Sequence, residues 1–184
     1  MNVKISKKWD IRRKDTCILV EEYLPGNDYR FLIVAGQVVA AAQRIPAHVL
    51  GDGKQTIKEL INQLNQQTDR GEGHEKALTK VKVDDTVENV LNQQGYSLTD
   101  IPEQGEIIYL QQTANLSTGA TAVDCTEKVH PENINLAIRA AKVIGLDIAG
   151  IDIIAKDISQ PITETNGAII EVNAAPGIRM HHYP

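Results

Sequence analysis

Two apolar runs near the carboxy end, DIAGIDIIA at 147–155 and GAIIEVN at 167–173, restrict the fold more than any other feature of this sequence. Both are short and rich in Ile and Val, the mark of buried strands. The polar loop KDISQPITETN lies between them and allows an antiparallel return. If Asp152 stands opposite Glu171, the midpoint of the pairing falls between Pro161 and Ile162, inside that loop. Side chains at i and i+2 of a strand share a face, so Asn173 joins Asp152 and Glu171 on one side. Cross-strand neighbours stand roughly 5 Å apart at Cβ, and like charges there repel. A divalent cation relieves the conflict. Hard oxygen donors in this small number suit Mg²⁺, which keeps waters and shares its shell with phosphate oxygens. The other reading of EVNAAPG (171–177) is a solvated polar edge before the Pro176-Gly177 turn.

Upstream, DYRFLIVAGQVVAAAQRIP reads as a hairpin turning at Ala35-Gly36, with Arg30 and Arg44 near the same end. CILVEEYL at 17–24 reads as a strand that Pro25-Gly26 turns. Residues 1–17 form a poorly defined, basic amino-terminal segment, and residues 46–105 an insertion within the remaining domain, 18–184. The insertion predicts an amphipathic helix near 55–67 on Ile57, Leu60, Ile61 and Leu64, and a second helix near 85–94. Between them DRGEGHEKALTKVKV, rich in Gly and charge, predicts a mobile, lid-like loop with a short strand. IIYLQQTANL (107–116) predicts another strand, leading into the small-residue run STGATAVD. HPENINLAIRAAKVIGL is the clearest helix, opened near Pro131, striped by Ile134, Ala137, Ile138 and Ala141, and closed by Gly145. Strands returning on themselves beside helices give an α+β class. Only 4% of the residues are aromatic, so Ile, Leu, Val and Ala must fill the core.

A net charge of −5 argues against nucleic acid as the main partner. No apolar run is long enough to span a bilayer and no signal-peptide core is seen, so no membrane partner and a cytoplasmic setting are expected. Cys17 and Cys125 form no spacing motif. Neither GxxxxGK[ST] nor GxGxxG occurs, so a P-loop does not hold phosphates here.

VEEYLPGNDYRFLIV, RIPAHVLGDGKQTIKELI, RGEGHEK, ANLSTGATAVD and GIDII…IIEVNAAPGIRMH together resemble the ATP-grasp ligase domain of the cyanophycin synthetase family, over about residues 18–182. They are similar, more distantly, to the ATP-grasp part of fused glutathione synthetases and to D-alanine–D-alanine ligase. The resemblance implies the carboxy-terminal portion of an ATP-grasp fold: an antiparallel sheet with packed helices and a lid. It also implies ATP and two Mg²⁺ ions as cofactors. The reaction would activate a carboxylate as an acyl phosphate for attack by an amine, adding L-aspartate to a polyaspartate primer. On this resemblance Glu21 accepts from the adenine amino group, the backbone of Tyr23 and Leu24 meets the ring edge, and Asp28 holds the ribose. Arg44 stabilises charge on the transferring phosphoryl group, and His74 serves proton transfer or substrate contact. Asn115, Ser117 and Gly119 line the site where the acceptor carboxylate meets the γ-phosphate, while Asp152, Glu171 and Asn173 hold the metal.

The sequence departs from the family in three ways. Gln111, Gln112 and Thr113 stand where relatives carry basic or Asn residues, and Ala120 replaces a Gly. Only residues 1–17 precede the hinge, and they resemble nothing of the half that supplies phosphate-binding lysines. The expectation is therefore a companion chain for that half, with a homo-oligomer as a further option. The alternative to a ligase is a non-catalytic nucleotide- or metal-binding remnant, or one half of a split enzyme.

Overall fold

Ala35 and Gly36 take positive φ angles of 49° and 73°, the paired left-handed conformation that a two-residue hairpin turn needs. They join β1 (Asn27–Val34) to β2 (Gln37–Ile45), as expected from the sequence. The structure, a computed structural model, describes residues 23–73, 75–163 and 166–182. The chain continues through β3 (His48–Leu50), α1 (Ile57–Asn65), β4 (Arg70–Gly71), β5 (Leu78–Thr79), α2 (Asp85–Gln94) and β6 (Ile107–Tyr109). It then forms β7 (Thr121–Asp124), α3 (Pro131–Ile144), β8 (Ile148–Ala155) and β9 (Gly167–Asn173). The main sheet has the order β7-β2-β1-β8-β9, and every neighbouring pair in it is antiparallel.

Strand alternation divides this sheet into two unlike faces. Tyr29, Phe31 and Ile33 of β1 join Ala149, Ile151 and Ile153 of β8 under Ala137 and Ala141 of α3, forming the main core. The alternate residues Asp28, Arg30, Asp152 and Arg44 lie on the opposite face. The helix starts as predicted: His130 caps it by accepting from the Glu132 amide, Pro131 occupies its first turn, and Gly145 ends it at φ 81°. Small alanines on its inner stripe let α3 approach the sheet closely.

The inserted segment packs a second core of its own. Ile57, Leu60 and Ile61 of α1, Val87 and Leu91 of α2, and Val49 of β3 surround Ile108 and Leu110. This core therefore takes in residues beyond the expected end of the insertion at 105. Thr56 and Glu59 close a reciprocal capping box on α1, and Asp84 caps α2. The strand expected over 107–116 is limited to Ile107–Tyr109. Among the described residues its sheet partner is the three-residue β3, and after Leu110 donates to Ala47 no further ladder is found among those residues.

The predicted lid-like stretch contains a short parallel pairing of β4 with β5. Leu78 N donates to Asp69 O and Lys80 N to Gly71 O, both at 3.0 Å. Two expected site residues, Glu21 and His74, lie outside the described residues, as does the stretch 17–22 of the expected hinge strand. Tyr23 and Leu24 are described and belong to no regular element.

Candidate functional site

One row of cross-strand neighbours crosses all five strands on the polar face. Asp124 of β7 pairs with Ala42 of β2, Ala42 with Arg30 of β1, Arg30 with Asp152 of β8, and Asp152 with Glu171 of β9. The Asp152–Glu171 pairing is the one expected from the loop midpoint. A bulge directly beyond it, between Asp152 and Ile153, shifts the rest of the ladder. Arg30 donates through Nε to Asp152 Oδ1, and through Nη2 to Oδ2 at 2.7 Å. Asp152 is 3% exposed. One step along the strands, Arg44 grips Asp28 through Nε at 2.7 Å and Nη2 at 2.5 Å, with Nη2 also 3.4 Å from Asp152 Oδ2.

Asp152 opposite Glu171 calls for positive charge, and the Arg30 guanidinium supplies it. Sequence reasoning assigned Arg30 no role. Its signal was its parity within DYRFLIV, where Asp28, Arg30 and Leu32 share one face.

The donors still fit a hard cation. Each carboxylate oxygen offers about two lone-pair sites, and Arg30 uses one on each oxygen of Asp152. Glu171 is exposed. Asn173 pairs with Gly150; its Oδ1 is the atom able to ligate a cation, whereas its Nδ2, buried without a hydrogen-bond partner, is a donor that calls for an acceptor oxygen such as a phosphate's. Gly150 is needed here: a Cβ on it would lie 2.7 Å from Pro176 Cβ and 3.1 Å from Arg30 Nη1. Among the described residues no three His, Cys, Asp or Glu gather as a metal cluster, so protein carboxylates alone do not make a cage.

Beside the row lies a cavity of about 430 Å³ lined by Tyr23, Leu24, Asp28, Arg44, Tyr109 and Gln112, among others. It brings together every expected adenine- and ribose-binding position that is described, together with Arg44. Burial pushes the Asp28 carboxyl above its usual range, and Arg44 pulls in the opposite direction.

The expected acceptor loop lies against the insertion. Asn115 and Ser117 are exposed around a 3₁₀ turn at Leu116–Thr118, whereas Gly119 is buried at φ 97°. A Cβ on Gly119 would come within 2.5 Å of Val81 Cγ2. Arg70, 3% exposed, donates from Nη1 to the carbonyls of Thr79 at 2.8 Å and Gly119 at 2.9 Å.

A residue the sequence reading passed over, His181, belongs to the 3₁₀ turn Arg179–His181, which packs on β2 and β7. Both of its ring nitrogens are buried without partners. Burial and the nearby Arg30 charge depress its pKa, while Asp124 opposes them. The run RMHH at 179–182, one residue beyond Pro176-Gly177, was the available signal.

Comparisons with known proteins agree with this fold. Residues 109–183 match the model of the RimK-like ATP-grasp domain. The chain is 56% identical over 173 residues to the cyanophycin synthetase of Trichormus variabilis, covering 94% of this chain and 19% of that protein. It is 40% identical over 172 residues to the glutathione biosynthesis bifunctional protein GshAB of Clostridium perfringens, covering 94% of this chain and 22% of the relative. Among solved structures, the bifunctional glutathione synthetase from Pasteurella multocida superposes with a TM-score of 0.76 at 32% identity, over 89% of this chain and 22% of that one. The chain thus spans about one fifth of the length of the curated relatives it matches. No helix among the described residues is long and apolar enough to cross a membrane.

Proposed function

Because the chain belongs to the ATP-grasp family and resembles its cyanophycin synthetases, we propose that it serves an ATP-dependent ligase adding L-aspartate to a polyaspartate primer. The observation that carries this reading is the continuity of the charged row, Arg30–Asp152–Glu171, with the cavity at Tyr23, Leu24, Asp28 and Arg44. ATP-grasp folds in general bind ATP with Mg²⁺.

In this reading the cavity takes the adenosine, with Tyr23 and Leu24 at the base edge and Asp28 at the ribose; Glu21 serves the adenine amino group. Asp152, Glu171 and Asn173 are the groups that would hold Mg²⁺, whose role is to neutralise phosphate charge. Arg44 and Arg30 flank Asp152 and present fixed positive charge where the phosphoryl group develops negative charge. Such prepositioned charge needs no reorganisation at the moment of reaction. The primer carboxylate oxygen attacks the γ-phosphorus, ADP leaves, and the amine of aspartate then displaces phosphate at the carbonyl carbon, losing one proton. His74 is the proposed proton acceptor, and Asn115, Ser117 and Gly119 line the acceptor end.

The test is ligation of labelled aspartate to a polyaspartate primer with MgATP. We expect the 184 residues alone to bind nucleotide weakly. Ligation should appear when an amino-terminal ATP-grasp half is supplied, fused or as a companion chain. A folded, reconstituted protein without turnover would overturn the reading. One observation favours the second reading, a nucleotide-binding chain without ligase activity: Asp28 and Asp152 are both already engaged by arginines.

A further inference from the structure

Among its described residues the loop between β4 and β5 has no buried apolar anchor. Glu72, Gly73, Glu75 and Lys76 are exposed and Ala77 is half-buried, whereas Gly71 and Leu78 on either side are buried. What docks this loop must therefore be polar. Arg179 touches the loop once and β5 once, donating from Nη1 to Lys76 O at 3.0 Å and from Nη2 to Thr79 Oγ1 at 3.4 Å. Thr79 is only 4% exposed, and its hydroxyl donates onward to Gly73 O at 2.9 Å. Its carbonyl accepts from Arg70, which also holds the Gly119 carbonyl. Thr79 is thus the junction of two arginines, one inside the insertion and one in the segment that follows Asn173.

We propose that Arg179 is a positioning residue that fastens the 72–77 loop to the carboxy-terminal segment over the charged row. The turn bearing Arg179 packs on β2 and β7, the strands that carry Arg44 and Asp124, so the bonded loop is held to the same end of the sheet. A guanidinium can serve a carbonyl and a hydroxyl at once with its planar fork, whereas an ammonium is a point donor. The relay from Arg179 through the Thr79 hydroxyl to Gly73 couples the two ends of the loop, each bond polarising the next. Through the same Thr79, Arg70 ties the loop to Gly119. On the ligase reading, on which the functional meaning rests, Arg179 holds Gly73, Lys76 and Thr79, and through Arg70 the acceptor loop at Gly119, as one unit relative to the metal-binding strand.

Hydrogen exchange on the purified chain tests this directly. In Arg179→Ala, amides in 72–79 should exchange roughly tenfold faster or more, with β1 and β8 unchanged, because only a local opening is released. Thr79→Val should act similarly and add little in the double variant, and Arg179→Lys should restore part of the protection. In a preparation that ligates, Arg179→Ala should raise KM for the acceptor more than KM for ATP. Unchanged protection of 72–79 in Arg179→Ala overturns the proposal, as does a loss spread equally over β1 and β8. An unmodified protein without turnover counts against the ligase reading alone, since the exchange result decides the role of Arg179.

Discussion

Arg30 and Asp152 form a two-pronged ion pair on adjacent central strands, on a face that also holds Arg44 and Glu171. A buried pair of this kind contributes little net stability, but breaking it costs about 3–5 kcal/mol where the remaining charge is left uncompensated. Arg44 Nη2 stays 3.4 Å from Asp152 Oδ2, so urea unfolding should show Arg30→Met destabilised by no more than about 3 kcal/mol, the lower end of that range. Arg30→Met combined with Asp152→Leu should recover most of the loss. If the double variant is as unstable as the single one, the cost lies in packing and not in the orphaned carboxylate.

Metal binding should depend on Glu171 more than on stability grounds alone. Glu171 is exposed, so Glu171→Gln should shift metal-free stability by no more than about 0.5 kcal/mol. Mg²⁺ or Mn²⁺ should raise the melting temperature of the unaltered chain, and more so with ATP, by mass action on the folded state. Glu171→Gln should remove most of that response. A metal-induced shift of equal size in this variant would remove Glu171 from the ligand set.

His181 sets an acid limit. Its folded pKa is depressed below the usual 6.5 by burial and by Arg30, so the unfolded chain binds the proton more readily. The stability linked to the neutral ring is present above the unfolded pKa and lost as pH falls through the folded one. Melting temperatures measured from about pH 7 to about pH 5 should fall more steeply in the unaltered chain than in His181→Gln. Parallel curves would show that the ring carries no such penalty. Asp124 and His182 are the other titrating groups that act on it.

Cys125 should be chemically silent in the folded chain. Burial pushes its thiol pKa up to about 11, which leaves roughly one thiolate in a thousand at pH 8. In a Cys17→Ser background, disulfide-exchange labelling of Cys125 should track global unfolding. Rapid labelling without denaturant would contradict its buried position against Ala41.

The sequence by itself determined the local elements and one long-range pairing. Helical patterning located α1 and α2, periodicity with Pro131 and Gly145 bounded α3, the Ala35-Gly36 turn marked the first hairpin, and loop symmetry placed Asp152 opposite Glu171. Those features follow from period, turn chemistry and parity, which operate over a few residues or across one loop. Only the tertiary structure decided which charges meet. Arg30 finds Asp152 because β8, far along the chain, inserts between β1 and β9, and neither strand's own pattern encodes that neighbour. The same holds for Arg70 with Gly119 and Arg179 with Thr79: long side chains reach backbone and hydroxyl partners on remote segments, and such contacts leave no periodic trace in the sequence.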